Sequence, residues 1–311
     1  MDISYLLFLQ SLRETTNGVF NKFFSYVTGY GEMANLFVLF AIVYWCINKK
    51  TGEFMLLSLA FSRIINGLLK IIFCVYRPWI RDARVLPLGD GLKTATGYSF
   101  PSGHTTNATA CFGSYAISSG CKKTLSILLW LFAVLIAFSR NYIGVHTPQD
   151  VVVAFITTTL ITIGMEKLYT RYSEKPYFTC WVTGSGLFIS ILVLLYTAFK
   201  GYPMDYDTAG KLIVDPAKMV LDSYKNLGYV FGILIGIALE KSFINFSTEG
   251  TTEQKITRFL LCFLLFQVLS LVLIPMITTD LPKETANFIK PFLKTMYICC
   301  IAPAIIKYSK I

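Results

Sequence analysis

Apolar residues in this chain come in long blocks, not as strict alternation or narrow stripes. A helix needs about 20 predominantly apolar residues to cross a hydrocarbon core. By that measure nine blocks stand out, at about residues 32–48, 53–74, 103–119, 124–142, 149–169, 179–199, 226–244, 256–277 and 286–307. They predict an all-α fold, a polytopic transmembrane helical bundle of about nine spans. Residues 3–27 read differently: apolar and polar residues mix at helical spacing, with Arg13, Glu14 and Lys22 among them. That pattern predicts an amphipathic helix lying at the membrane interface. The start lacks a basic region and a small-residue cleavage site, so it is not read as a removed signal peptide. The chain then divides into an amphipathic N-terminal segment, 1–31, a core membrane bundle, 32–200, and C-terminal membrane helices, 201–311, to which no motif gives a role.

Composition supports the membrane reading. Of the 311 residues, 54% are hydrophobic and 15% charged, where a soluble chain carries about 25% charged residues. The formal net charge is +10, which in a soluble protein would suggest a nucleic-acid partner. Here no basic run exceeds two residues and no nucleic-acid-binding signature occurs, so no nucleic acid is expected and the lysines are read as helix-end residues facing lipid headgroups. The eight cysteines form no CxxC pair and most lie in apolar blocks. They read as small buried hydrophobes, implying neither a disulfide framework nor a metal site.

The spans also fix sidedness. The end of the second, the start of the third, the end of the fourth and the start of the fifth face one side. The opposite loops are short and basic: Lys49-Lys50, Lys122-Lys123, Lys167 with Arg171 and Lys175, and Lys241 with Lys255 and Arg258. The positive-inside rule makes that side cytoplasmic and the other extracytoplasmic. An integral protein of the plasma (inner) membrane is expected.

Three clusters fall at those four helix ends. The first is Lys70, then Arg77-Pro78; the second is Pro101-Ser102-Gly103-His104; the third is Ser139-Arg140, then His146 and Asp150. Lys70, Arg77 and Arg140 can neutralise a phosphate dianion, the arginines with a planar fork of donors. Ser102 and Gly103 open a helix, whose free N–H groups and dipole attract anions. His104 and His146, the only histidines in the chain, can serve as acid and nucleophile. Asp150 can hold an imidazole in the correct tautomer.

Together and in order, the clusters resemble the signature of the type-2 phosphatidic acid phosphatase (PAP2) superfamily at every specified position, over about residues 50–170. That superfamily includes undecaprenyl-diphosphate and phosphatidylglycerophosphate phosphatases, sphingosine-phosphate phosphatases, glucose-6-phosphatase and the vanadium haloperoxidases. The resemblance implies an integral membrane phosphatase, hydrolysing a lipid phosphate or diphosphate through a phosphohistidine, with no metal and no cofactor. It implies His146 as nucleophile, Asp150 as its orienting group, and His104 as the acid that protonates the leaving alkoxide and then activates water. Lys70, Arg77, Ser102, Gly103 and Arg140 would form the phosphate cradle. The nine-span layout resembles glucose-6-phosphatase and sphingosine-phosphate phosphatase more than a six-span core.

Other readings stand beside these. Thr147-Pro148-Gln149-Asp150 is also a helix-start pattern, so Asp150 can cap its helix. Ser139 reads as structural. Arg81 and Arg84 read as residues of a solvated loop, or as contacts to a second phosphate. Arg63, on nearly the same helix face as Lys70 and with Asn66 beside it, reads as structural or supporting, with no partner named. The acidic stretch 200–225, with Asp205, Asp207, Asp215 and Asp222, reads as a solvated loop, with headgroup recognition as the alternative. A lipid phosphotransferase at the same site and a non-catalytic lipid-binding membrane protein compete with hydrolysis. The intact set of His104, His146 and Asp150 argues against the latter, since binding needs no nucleophile. Which lipid phosphate is taken, and the oligomeric state, are not specified.

Overall fold

The computed structural model describes residues 2–89, 95, 97–207 and 209–309. Among these residues the chain is all-helical, without a strand. An amphipathic α1 (Asp2–Thr15) leads into α2 (Asn21–Gly29) and α3 (Met33–Ile47), which meet at a 56° bend. Next come α4 (Lys49–Phe73), the short α5 (Pro78–Arg81), α6 (103–117), α7 (Lys123–Tyr142), α8 (Pro148–Tyr172) and α9 (Phe178–Phe199). The C-terminal part holds α10 (Pro216–Ile244), α11 (Thr252–Thr278) and α12 (Lys283–Ser309).

Seven of the described helices are long and apolar enough to cross a membrane, and the count is eight if the bent pair α2–α3 is one broken span. The ninth expected segment is α6. At 1.5 Å per residue it reaches only roughly 22 Å, short of a hydrocarbon core of about 30 Å. Its residues Thr105, Thr106, Asn107 and Thr109 are buried, so α6 sits inside the bundle with protein, not lipid, around it. Protein surroundings tolerate these polar side chains where hydrocarbon would not.

The single amphipathic helix expected over residues 3–27 is two helices. Asn17 (φ 48°) and Gly18 (φ 68°) adopt left-handed backbone between them, a conformation that ends a right-handed helix. One face of this region exposes Phe8, Val19, Phe20 and Tyr26. The other is tied down by the buried Arg13, which donates to the Tyr142 carbonyl (3.2 Å) and the Leu86 carbonyl (2.8 Å). Asp2 pairs with Arg81 at 2.6 Å. The N-terminal helix therefore braces the end of α7 and the loop after α5.

Local sequence explains the helix starts. Asn48 caps α4 by accepting from the Thr51 N–H. Asp215 caps α10 with Pro216 at the first helical position, so α10 begins about ten residues before the apolar block expected from 226. Thr251 and Gln254 form a capping box at α11. Helices in a bilayer associate through close packing rather than through the hydrophobic effect. Along α10, Gly228, Gly232 and Gly236 recur every fourth residue and face α12, where an added Cβ would overlap Phe288, Thr295 and Cys299. Away from the site, Lys49–Glu240 (2.8 Å) and Lys241–Glu53 (3.3 Å) cross-link α4 to the end of α10.

Candidate active site

The three clusters converge on one cavity of about 520 Å³, lined among others by Lys70, Arg77, Gly103, His104, Arg140 and His146. Each is delivered by a helix end. Lys70 is in the last turn of α4, where its Nζ donates to the carbonyls of Tyr98 (2.9 Å) and Pro101 (3.0 Å). Cys74, with φ 48°, terminates α4 in left-handed backbone and turns the chain toward Arg77. Arg77 is buried, with Nε on the Gly97 carbonyl (3.1 Å) and Nη1 on the Val145 carbonyl (3.0 Å). Arg140 lies in the last turn of α7, and its Nη1 donates to Thr28 Oγ1 of α2 at 2.6 Å.

The turn carrying His146 depends on Gly144. Its φ of 76° lies in the region a side chain strains, and its N–H closes onto the Asn141 carbonyl at 2.9 Å. Asn141 Nδ2 then holds the His146 carbonyl at 2.9 Å. Within the imidazole, Arg77 Nη1 donates to Nε2 at 3.0 Å. A guanidinium has no acceptor, so Nε2 carries the lone pair and Nδ1 the proton. Nδ1 faces Asp150 Oδ2 at 3.4 Å and Ser99 Oγ at 3.3 Å. Burial, together with the neighbouring Arg77 cation, holds His146 well below the usual histidine range, leaving it neutral at neutral pH.

Asp150 makes both contacts expected of it. It caps α8, its Oδ2 accepting from the Thr147 N–H at 2.8 Å, and the same oxygen faces His146. It also accepts from the Ser99 hydroxyl. Capping and orientation coexist because a carboxylate oxygen has more than one lone pair.

Ser102 and Gly103 part company. Gly103 lines the cavity. Ser102 is fully buried as the cap of α6, accepting from the Thr105 N–H (3.4 Å) and the Thr105 hydroxyl (3.0 Å). Ser139 bonds its own helix at the Ile136 carbonyl. Arg84 pairs with Asp82 at 2.7 Å on the surface, and Arg81 with Asp2.

Arg63 has two partners: its Nη1 donates to Asn107 Oδ1 at 2.9 Å, and its guanidinium lies 4.5 Å from the centre of the Tyr229 ring. Asn66 donates to Thr106 Oγ1 at 2.9 Å.

Glu32, Asn107, Asn226 and Tyr229 are among the cavity residues that escaped sequence reasoning. Asn107 lies one turn after His104, so helical spacing alone puts it on the same face. Asp222, read as part of a solvated loop, also lines the cavity. It lies four residues before Asn226 and seven before Tyr229, one face of a helix once Asp215-Pro216 is recognised as the start of α10. The remaining acids of that stretch do sit in loop or cap positions. Asp205 accepts from the Tyr76 hydroxyl at 2.6 Å, and Asp215 caps α10.

The PAP2 superfamily model matches residues 53–174. The model described as PAP2 superfamily phosphatase, transmembrane extension, matches residues 224–311. Lipid phosphate phosphatase delta of Arabidopsis thaliana is 27% identical over 151 residues, 45% of this chain but only 36% of that protein. Phosphatidylglycerophosphatase B of Bacillus subtilis is 31% identical over 140 residues, 41% of this chain and 64% of its own length. Glucose-6-phosphatase 2 of Homo sapiens is 22% identical across 98% of this chain and 94% of its own. No solved structure matches the chain. The core match begins in α4 and ends after α8, enclosing all three clusters, while the second begins in α10, whose face closes the cavity. Matched in order over about two thirds of the sequence, the two models make this chain a member of the PAP2 superfamily, carrying the superfamily's transmembrane extension.

Proposed function

We propose that the chain is an integral membrane phosphatase that hydrolyses a lipid phosphate or diphosphate through a phosphohistidine on His146. The supporting observation is the His146 imidazole, whose Nε2 lone pair meets the Arg77 donor at 3.0 Å while Nδ1 faces Asp150. Nε2 attacks phosphorus and the bond to the leaving alkoxide breaks, with His104 giving its proton to that oxygen. His104 then takes a proton from water, the hydroxide attacks phosphorus, the P–N bond breaks and phosphate leaves. Lys70, Arg77 and Arg140 supply the positive charge that the transferring phosphoryl group needs, so no step calls for a metal. The core bundle of residues 32–200 would carry the chemistry, and the C-terminal helices would complete the cavity wall through α10.

A second reading, a hydroxylated phosphomonoester of higher polarity, is favoured by one observation. Besides the cations and histidines, the cavity wall carries Asn107, Asp222, Ser223 and Asn226, hydrogen-bonding groups suited to hydroxyls and not to acyl chains.

Phosphate release by the purified protein decides between them. The panel holds phosphatidate, a polyprenyl diphosphate, a sphingoid phosphate and a sugar phosphate, each with excess chelator. Turnover of a lipid phosphate that survives chelator and is inhibited by vanadate is the expected result. Complete loss with chelator, restored by one divalent ion, would remove the metal-free mechanism. Turnover of the sugar phosphate alone would establish the second reading.

The cavity is proposed to open on the extracytoplasmic face of the plasma (inner) membrane, because the basic loops lie at the opposite ends of the spans. In a background without native cysteines, a membrane-impermeant thiol reagent should label Arg84→Cys in intact cells and Lys175→Cys only after permeabilisation. The reverse pattern inverts the orientation, and labelling of both from one side overturns the span assignment.

A further inference from the structure

The acid assigned to the first step, His104, lies among cations. It faces Arg140 from α7 and Arg77 from the loop after α4. Lys70 and Arg63 of α4, His146, and Asp222 with Lys225 of α10 line the rest of the same cavity. Burial first, and then these positive neighbours, lower the His104 pKa to about 4, yet an acid must hold its proton until the leaving group takes it. Something near His104 has to favour the charged form.

Glu32 is placed to do so. Its Oε1 lies 4.0 Å from His104 Nε2, and among the described residues it is the carboxylate in ion-pair range of this imidazole. That separation is longer than a hydrogen bond, and catalytic contacts of this kind commonly tighten when substrate binds. Glu32 occupies the N-cap position of α3 but makes no side-chain bond to its own helix. The carboxylate lines the cavity instead.

The backbone holding Glu32 is clamped. Asn107 Nδ2, itself held through its amide oxygen by Arg63, donates to the Gly31 carbonyl at 3.3 Å. Arg140 holds Thr28 at 2.6 Å, and Asn35 Nδ2 donates to the Gly29 carbonyl at 2.8 Å. Gly31 packs so closely on His104 that an added Cβ would stand 2.9 Å from the histidine Cβ. The bend between α2 and α3 is thus pressed against His104 and tied to α6 and α7.

We propose that Glu32 is the positioning partner of His104, holding its imidazole oriented and protonated for departure of the alkoxide. The site then contains two histidine–carboxylate pairs with opposite tasks. Asp150 accepts from a neutral nucleophile, and Glu32 stabilises a charged acid. This proposal rests on the reading of His104 as the general acid.

The test compares Glu32→Gln and Glu32→Asp with the parent, each with and without His104→Ala, on an alkyl and an aryl phosphate. Glu32→Gln should lower kcat on the alkyl phosphate by about 10-fold or more, with KM little changed and a smaller loss on the aryl phosphate. The basic limb of its pH–rate profile should move to lower pH by about one unit or more, because the acid loses its proton earlier. Glu32→Asp should recover part of both effects. In the His104→Ala background, Glu32→Gln should cost nothing further, as expected of residues that act as a unit. An unshifted pH profile with equal losses on both substrates, or additive losses in the double variant, would overturn the proposal. A His104→Ala variant without leaving-group dependence would instead remove the reading on which it rests.

Discussion

His146→Ala is expected to abolish turnover on every substrate, lowering kcat by about 10⁴-fold or more, as removal of a nucleophile does elsewhere. Lys70, Arg77 and Asp150 cannot replace it. Lys70 and Arg77 are committed to backbone carbonyls at 2.9–3.1 Å, and Asp150 lies behind the imidazole with its Oδ2 taken by Thr147 and Ser99. The loss should be independent of leaving group, because the missing bond is the one to phosphorus. It should also remove any acid-labile, base-stable phosphate from the protein. A second reading of the same residue is its pH dependence. Burial and the Arg77 charge lower the His146 pKa, and the neutral form reacts, so the reactive form persists as pH falls. The acid limb of kcat/KM due to this group should therefore lie below the usual histidine range, with the substrate's own ionisation measured separately. A limb from His146 at or above that range would mean that the imidazole is not held neutral in the free enzyme.

What the sequence disclosed and what it hid divide along a physical line. Lys70, Arg77, His104, Arg140, His146 and Asp150 could be found because each stands at a helix end, in a polar interruption of an apolar block. Hydropathy alone brought those ends to one side. Arg63 was visible as a charge inside a span, but its partners, Asn107 on α6 and Tyr229 on α10, are 44 and 166 positions away and join it only through packing. Glu32 is an unremarkable acid before an apolar block until the bend between α2 and α3 brings it to His104. Asp222 was hidden by the late apolar start of α10, whose first turns are polar because they face a water-accessible cavity. The third apolar block, α6, differs from the other eight for a related reason. α6 carries too many hydroxyls and amides to meet lipid, and periodicity cannot say whether a helix is surrounded by lipid or protein. The break at Asn17-Gly18 was, by contrast, written in a dipeptide that favours left-handed backbone.

The difference between the two histidines is the sharper prediction. His104→Ala leaves the nucleophile, the cradle and Asp150 in place and removes only the proton donor. A lipid alkoxide is a poor leaving group, and a positioned acid contributes about 10²–10⁴-fold. The first step on a lipid phosphate should slow by that factor. An aryl phosphate departs as a stabilised phenolate and needs the proton less, so its first step should retain relatively more activity. The deficit on the aryl substrate then passes to the second step, where His104 serves as the base for water, and phosphoenzyme should accumulate. Labelled phosphate should be found on His146 in His104→Ala and be missing in His146→Ala. Label on His104 would exchange the two roles. No label on either, with turnover intact, would replace the covalent route by direct attack of water.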